Sequence, residues 1–536
     1  MPESLPVLKD WKWELSYNFG RTQATQLNEG NLIVSRLGNA LGPSFFDSDG
    51  IARCGTSDAP IDGCVPMNVF AGADANAITQ EMIDYVTFTG VSTGYNRQQT
   101  VLGTMHGRLA RTPWGGDIAL AIGADHRREG GGYTPDPLTS TGDTTGNAQE
   151  PTDGSYNVTE GFAELSAVPV VGQGLVQWLE LNLAARAFDY SNFGSGITGK
   201  VGGLFRTSAG LAIRGSYSTA FRAPNVGELF SGNADNFPQV DDPCDAQPGG
   251  ADQPRTLPPE VQARCSAEGI PVGTIFGLSQ QRSQVGGNPN LTEETANVLT
   301  AGLVFEPPMV KGLAMTLDYF NVDITDTIQA QGAGVILADC YTRGNQEACD
   351  RIKRNPVNFQ IDSINDTVAN VGGTRTSGID FSVAYDRQFP FGRLRTSLEG
   401  TYLLGFEFDN LVDPDKPLQA QGNYDFGVFP AIKTNFTTQW AKDGISAGFN
   451  IRFVGSYDEC ENSDCNGLQA DDPNGDGVDD GLAGIGIAVV ARRHRRPFQH
   501  QLSFLARPQK AVGVVNDAGI DVEVGAADAA RLADSV

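Results

Sequence analysis

The chain has 536 residues, of which 40% are hydrophobic, 19% charged and 65 glycine, with a formal net charge of −26. The length exceeds one ordinary compact domain, and the acidity argues against a nucleic-acid partner, which needs basic patches. No run of about 20 apolar residues occurs, so a helical membrane span is excluded; a β-barrel hides its apolar residues at alternate positions and keeps the hydropathy of a soluble protein.

Taken in chain order, the start Met1–Pro2–Glu3–Ser4 has neither a basic n-region nor an apolar h-region. An exported protein carries such a leader, so the true N-terminus is expected upstream. Strands are predicted near 10–19, 102–112, 115–126, 158–168, 176–190, 197–207, 209–219, 294–306, 312–324, 373–387, 392–406, 432–441, 445–455 and 499–506. The signal is period-two alternation. In 179–187, Leu179, Leu181, Leu183, Ala185 and Ala187 share one face, and Glu180, Asn182, Ala184 and Arg186 the other. In 445–453 the apolar face is Ile445, Ala447, Phe449, Ile451 and Phe453, against Ser446, Gly448, Asn450 and Arg452. Residues 211–217 and 313–319 repeat this, with Arg214, Ser216, Thr316 and Asp318 on the polar side. Such strands cross a bilayer in about 9–11 residues when tilted.

Connections alternate in length. Short turns read TPWGG (112–116), RTSAG (206–210), QFPFG (388–392) and KDG (442–444); long segments span 127–156, 220–292, 325–373 and 406–430. Short turns on one side and long loops on the other is the plan of outer-membrane barrels. Trp114, Tyr190, Tyr217, Trp440 and Tyr457 lie near strand ends, which suits an interfacial girdle, although each taken singly reads more often as plain packing. The acidity gathers in the long polar segments, such as 239–245 and 471–480.

Eight cysteines form four close sequence pairs, Cys54 with Cys64, Cys244 with Cys265, Cys340 with Cys349, and Cys460 with Cys465, each inside one polar segment. Local even pairs read as disulfides made in an oxidising compartment; zinc is the rival, although no histidine lies near any pair. Asp472, Asn474, Asp476 and Asp480 with Gly477 match the first half of a calcium loop, but Ala483 stands where its bidentate glutamate belongs. A structural calcium and a plain solvated acidic loop are the two readings, and no other cofactor is implied. No phosphate-binding loop, nucleophile elbow or His-Glu-x-x-His appears, so no enzyme is expected.

Four motifs carry a family resemblance. Residues 215–230 read GSYSTAFRAPNVGELF, with Phe221, Arg222, Ala223 and Pro224 followed by Glu228, Leu229 and Phe230; residues 288–295 read NPNLTEET, 317–328 LDYFNVDITDTI and 370–385 NVGGTRTSGIDFSVAY. In this order, on predicted strands, they resemble the β-barrel of TonB-dependent outer-membrane receptors over roughly 95–457. Pro224 cannot donate to a ladder and marks where its strand leaves the sheet. Arg222 and Glu228 read as partners anchoring the loop, in preference to ligand contacts. Gly378 reads as relief of crowding.

The resemblance implies an all-β, antiparallel transmembrane barrel with long extracellular loops, partial here, with about 13 or 14 strands against 22 in the family. It further implies uptake of a scarce solute such as a ferric siderophore, cobalamin or carbohydrate, with outer-membrane lipid as surroundings. The inner-membrane TonB complex is a partner only if a plug domain is supplied. Residues 1–94 are expected to be an N-terminal barrel remnant with a disulfide-bearing loop, 95–457 the receptor barrel, 458–490 an acidic extracellular loop and 491–536 a divergent or frameshifted tail. Arg186, Arg214 and Arg452 are the candidate ligand contacts, with barrel-wall ion pairs as their alternative role. A passive porin-like channel and a surface adhesin or structural barrel are the rival functions.

Overall fold

The computed structural model describes residues 11–70, 78–247, 254–413, 415–424 and 426–457, and the backbone of two further strands within 484–506. The strands are β1 (Lys12–Leu32), β2 (Thr87–Arg111), β3 (Asp117–Thr134), β4 (Thr152–Gln173), β5 (Val176–Tyr190), β6 (Gly194–Thr207), β7 (Leu211–Arg222) and β8 (Glu294–Phe305). They continue as β9 (Leu313–Thr325), β10 (Gly373–Phe389), β11 (Gly392–Phe408), β12 (Ile432–Lys442), β13 (Ile445–Val454), β14 (Gly484–Arg493) and β15 (Leu502–Ala506). Each pairs with its sequence neighbours in one up-and-down sheet that runs from β1 to β15, and the two-residue strand Leu418–Gln419 joins at β11. Every ladder along this path is antiparallel.

All fourteen predicted strands are present, most of them extended. The strand expected at 102–112 begins at Thr87, and the one expected at 10–19 runs to Leu32. The extensions carry Gly, Thr, Ser and Gln (TFTGVSTGYN), whose polarity on both faces conceals the period-two signal. Strand β14 is an addition: its ten residues, GIGIAVVARR, pair along the whole length of β13. Its apolar run does not alternate cleanly, so it reads as no strand from sequence, and it crosses the boundary expected at residue 490.

The alternation of connections holds with one exception. Beside the short turns, β5 and β6 are joined at the long-loop end by residues 191–193 alone. At the opposite end the β12–β13 hairpin turns on Asp443 and Gly444, both at positive φ (49° and 81°), the conformation of a tight two-residue turn that Asp-Gly favours. Along each strand the faces separate: Leu181, Leu183, Ile213 and Leu317 are bare apolar side chains, 48–52% exposed, while Asn182, Arg214 and Asp318 lie on the other face.

The long connections are not separate loops. Residues 223–293 and 326–372 pair strand to strand, Ser283 with Ile364 and Gln284 with Asn365, inside a small four-stranded sheet. They enclose a common core of Val261, Ile270, Ile336, Leu337, Tyr341 and Ile364. Disulfides Cys244–Cys265 and Cys340–Cys349 staple the two halves of this head, and Cys54–Cys64 staples the β1–β2 connection. The fourth expected pair, Cys460 with Cys465, lies outside the described residues, as do Asp472, Asn474, Asp476 and Asp480.

At the centre of the head Arg354 forks onto Asp242, with Nη1 2.6 Å from Oδ2 and Nη2 2.7 Å from Oδ1. Their side chains are 9% and 1% exposed. Arg354 also donates through Nε to the Tyr341 hydroxyl (2.9 Å), which in turn donates to Glu268 (2.8 Å). Burial pushes the Tyr341 phenol well above its ordinary value, which keeps it a donor. Breaking a buried ion pair from one side leaves an uncompensated charge and costs about 3–5 kcal/mol. Arg354→Ala therefore exposes 223–293 and 326–372 to limited proteolysis while the main sheet keeps its resistance to unfolding in detergent; cleavage no faster than wild type contradicts this reading.

Candidate functional site

The site lies at the long-loop end, where β7 leaves the sheet. The β6–β7 ladder ends at Ser218 opposite Lys200, so the last residues of β7 pair with β8 alone. Phe221, freed from β6, stacks on Phe188 of β5 with ring centroids 3.9 Å apart. Pro224 is fully buried, and the chain then turns into a short helix, Val226–Phe230. Asn225 caps it by accepting from the Glu228 amide (2.9 Å), and Glu228 accepts from the Asn225 amide (2.8 Å), a reciprocal capping box.

Arg222 joins this helix to the next strand. It forks onto Glu294 at the head of β8 (2.8 and 2.7 Å) and donates to Glu228 (3.0 Å). Glu294 also accepts from the Ile328 amide (2.7 Å), so one carboxylate ties the FRAP-ELF segment to the β9–β10 connection. Leu229, at 1% exposure, enters a cluster with Tyr156, Val158, Phe188, Tyr190, Leu291 and Ile328. Phe230 lies over Gly154 of β4, where any β-carbon would overlap its ring. Of the two readings open for Tyr190, girdle or packing, packing holds: it is 5% exposed in this cluster, beside a connection only three residues long.

The three arginines predicted as ligand contacts are not brought together. Arg186 of β5 lies 3.5 Å from Glu160 of β4 and over the Phe162 ring. Arg214 of β7 forks onto Asp318 of β9, both contacts at 2.7 Å. That pair spans an intervening strand, and Gly302 of β8, in register with both, leaves room for it; a β-carbon at 302 would overlap the carboxylate. Arg452 of β13 has no carboxylate at ion-pair distance among the described residues. It lines a cleft of about 750 Å³ with Asp380, Glu399, Thr401, Lys433 and Asn450. Gly378 of β10 faces Phe320 of β9, whose ring would lie 2.6 Å from a β-carbon there, so its role is close approach, as expected.

Sequence reading missed a second network on the same face near the rim. Arg127 contacts Glu129 (2.7 Å) and donates to the Tyr190 hydroxyl (3.3 Å), and the Tyr156 hydroxyl donates to Glu129 (2.9 Å). Its signal is the run of charged residues closing β3, which from sequence alone reads as the start of a loop.

Substitutions at two positions test this geometry. Arg222→Ala removes three charge-assisted hydrogen bonds and leaves Glu294 unpaired, lowering stability by about 2 kcal/mol and opening 223–293 to protease. Arg222→Lys restores only part, since an ammonium makes no fork; full rescue by lysine contradicts the fork. Gly302→Ala displaces Asp318 and costs on the order of 1 kcal/mol, the pair being half exposed; an unchanged thermal transition in detergent contradicts it.

The sequence matches the model of the TonB dependent receptor-like β-barrel family over residues 9–477. Comparison with curated proteins finds no match. Among solved structures, the chain is similar to a mutant of the ferric enterobactin receptor PfeA from Pseudomonas aeruginosa, at 15% identity and a TM-score of 0.49, covering 90% of this chain and 52% of that one. It is also similar to the siderophore receptor PirA from Acinetobacter baumannii, at 12% identity and a TM-score of 0.41, covering 89% and 64%. The RagAB peptide transporter matches at 12% identity and a TM-score of 0.43, covering 84% and 46%. The chain thus spans about half the length of the ferric enterobactin receptor it matches. With the family model covering most of the sequence, the chain belongs to the TonB-dependent receptor β-barrel family.

Proposed function

We propose that the chain forms the barrel wall and outer vestibule of a receptor for energised solute uptake across the bacterial outer membrane, with lipid against its bare apolar face. The observation that carries this is the two-ended build of the sheet. One end is closed by short turns, and the other bears a disulfide-stapled head latched to the wall through Arg222, Glu228 and Glu294. A family shown by its barrel model supports the receptor reading over a passive channel, which gives no reason for the latch. An adhesin would explain the head but not the ion-paired wall beneath it.

Of the three candidate arginines, Arg186 and Arg214 are held by wall carboxylates. Arg452 lines the cleft beside Lys433 with no carboxylate at ion-pair distance among the described residues, which supports reading it as the solute contact of the three. The solute class stays at ferric siderophore, cobalamin or carbohydrate type, and coupling to the TonB complex operates when a plug domain accompanies this wall.

The test is uptake in the source bacterium with the gene deleted and with the locus restored. Deletion is expected to abolish accumulation of one such solute, and a protonophore to abolish it in the restored strain. Uptake that survives the protonophore means a passive channel, and uptake of every class unchanged by deletion contradicts the proposal.

A further inference from the structure

The charge of this molecule is segregated by topology. Among the described residues, the connections at the long-loop end, within 33–86, 135–151, 191–193, 223–293, 326–372, 409–431 and 455–457, hold 26 Asp and Glu against 10 Lys and Arg, a net of −16 counted from the sequence. The strands β1 to β13 and the short turns between them hold 19 acids and 20 bases and are close to neutral at +1.

The few bases at this end are largely spent inside it. Arg53 pairs with Asp47 (3.0 Å), Arg282 with Asp235 (2.8 Å), Arg354 with Asp242 (2.6 Å), Lys416 with Asp413 (3.1 Å), and Arg343 with Asp339. The surplus acids stand in solvent, among them Asp49, Asp58, Asp62, Asp241, Glu260 and Asp362.

Among the described residues, the arginines nearest the head are turned to wall carboxylates. Arg127, Arg186, Arg214, Arg222 and Arg375 each face a carboxylate. The cleft around Lys433 and Arg452 also contains Asp380 and Glu399 and is balanced. A rim of one sign over a neutral, low-dielectric wall focuses its field into the mouth and changes encounter rates of charged solutes by about 10- to 1000-fold, with strong dependence on salt.

Resting on the receptor reading above, we infer that the outer mouth is a charge filter and that the solute this receptor takes up is neutral or cationic, not anionic. A polyanionic metal chelate has to climb the potential of the rim and then finds Arg127, Arg186, Arg214, Arg222 and Arg375 already facing carboxylates and a cleft whose charges balance. A neutral or positively charged solute has neither obstacle.

Two size-matched, inert octahedral complexes probe the filter: hexaamminecobalt(III) and hexacyanocobaltate(III), dialysed against the full chain in uncharged detergent. At an ionic strength of about 0.01 M, where the screening length is about 30 Å, the cation is expected to be enriched at least about tenfold over the anion. At about 1 M, where it is about 3 Å, the two converge.

A variant with Asp49→Asn, Asp58→Asn, Asp62→Asn, Asp241→Asn and Asp362→Asn is expected to lose part of the enrichment, with its thermal transition unchanged. Equal retention of both complexes at low salt, or enrichment of the anion, overturns the filter. In cells that depend on this receptor, uptake of neutral or cationic ferric chelates with exclusion of trianionic ones supports it. Receptor-dependent uptake of a trianionic chelate overturns it and leaves the receptor reading standing. Absence of any receptor-dependent uptake, together with the dialysis result, removes the receptor reading instead and with it the inferred substrate class.

Discussion

The rest of this molecule depends on the antiparallel ladder. A strand in hydrocarbon has no water to satisfy its amides, so each must bond to a neighbouring strand, and sequence-adjacent pairing is the shortest way to achieve this. Between β1 and β15 every strand pairs with both its neighbours in the chain order, and these two pair with one each. The ladder fixes the side-chain period at two, and that period sets the rest: apolar residues fall on one face, polar and charged ones on the other. The glycines follow from the same register. Gly302 exists as a gap because Arg214 and Asp318 must meet across it, and Gly378 because Phe320 needs its space.

A sheet of this kind has two unlike ends. At one, tight turns such as Asp443–Gly444 bring the chain straight back. At the other the chain is free to build, and it builds a head with its own core, small sheet and staples. The latch at Arg222 is where the two meet. The strand stops pairing with β6, Pro224 ends its donor row, and Arg222 closes Glu228 and Glu294 into one unit with the β9–β10 connection. Strain or displacement at the head therefore has a short covalent and electrostatic route into the wall, through β7 and β8.

Much of this was legible in the sequence because alternation is a local signal. Val176–Tyr190 reads as a strand from its own residues, and Pro224 in the FRAP-ELF motif marks where β7 leaves the sheet. Disulfide partners close in sequence needed no fold: Cys54–Cys64, Cys244–Cys265 and Cys340–Cys349 are bonded as expected. What escaped is what depends on distant residues. The Arg354–Asp242 pair joins positions 112 apart, and nothing near either announces the other. The common core of two loops has no period to read, and the fate of Arg214 was decided by Asp318 on a strand two places away. β14 escaped for the opposite reason, being apolar on both faces.

The most direct test of the account is the period itself, in a bilayer. Single nitroxide-labelled cysteines at 181, 183, 213 and 317, and at 182, 214 and 318, placed in the reconstituted protein, report collision with oxygen dissolved in lipid and with a water-soluble nickel chelate. The account predicts that oxygen access dominates at the first set and nickel access at the second, alternating residue by residue along β5, β7 and β9. Nickel access at both sets alike would mean that this sheet does not stand in a membrane.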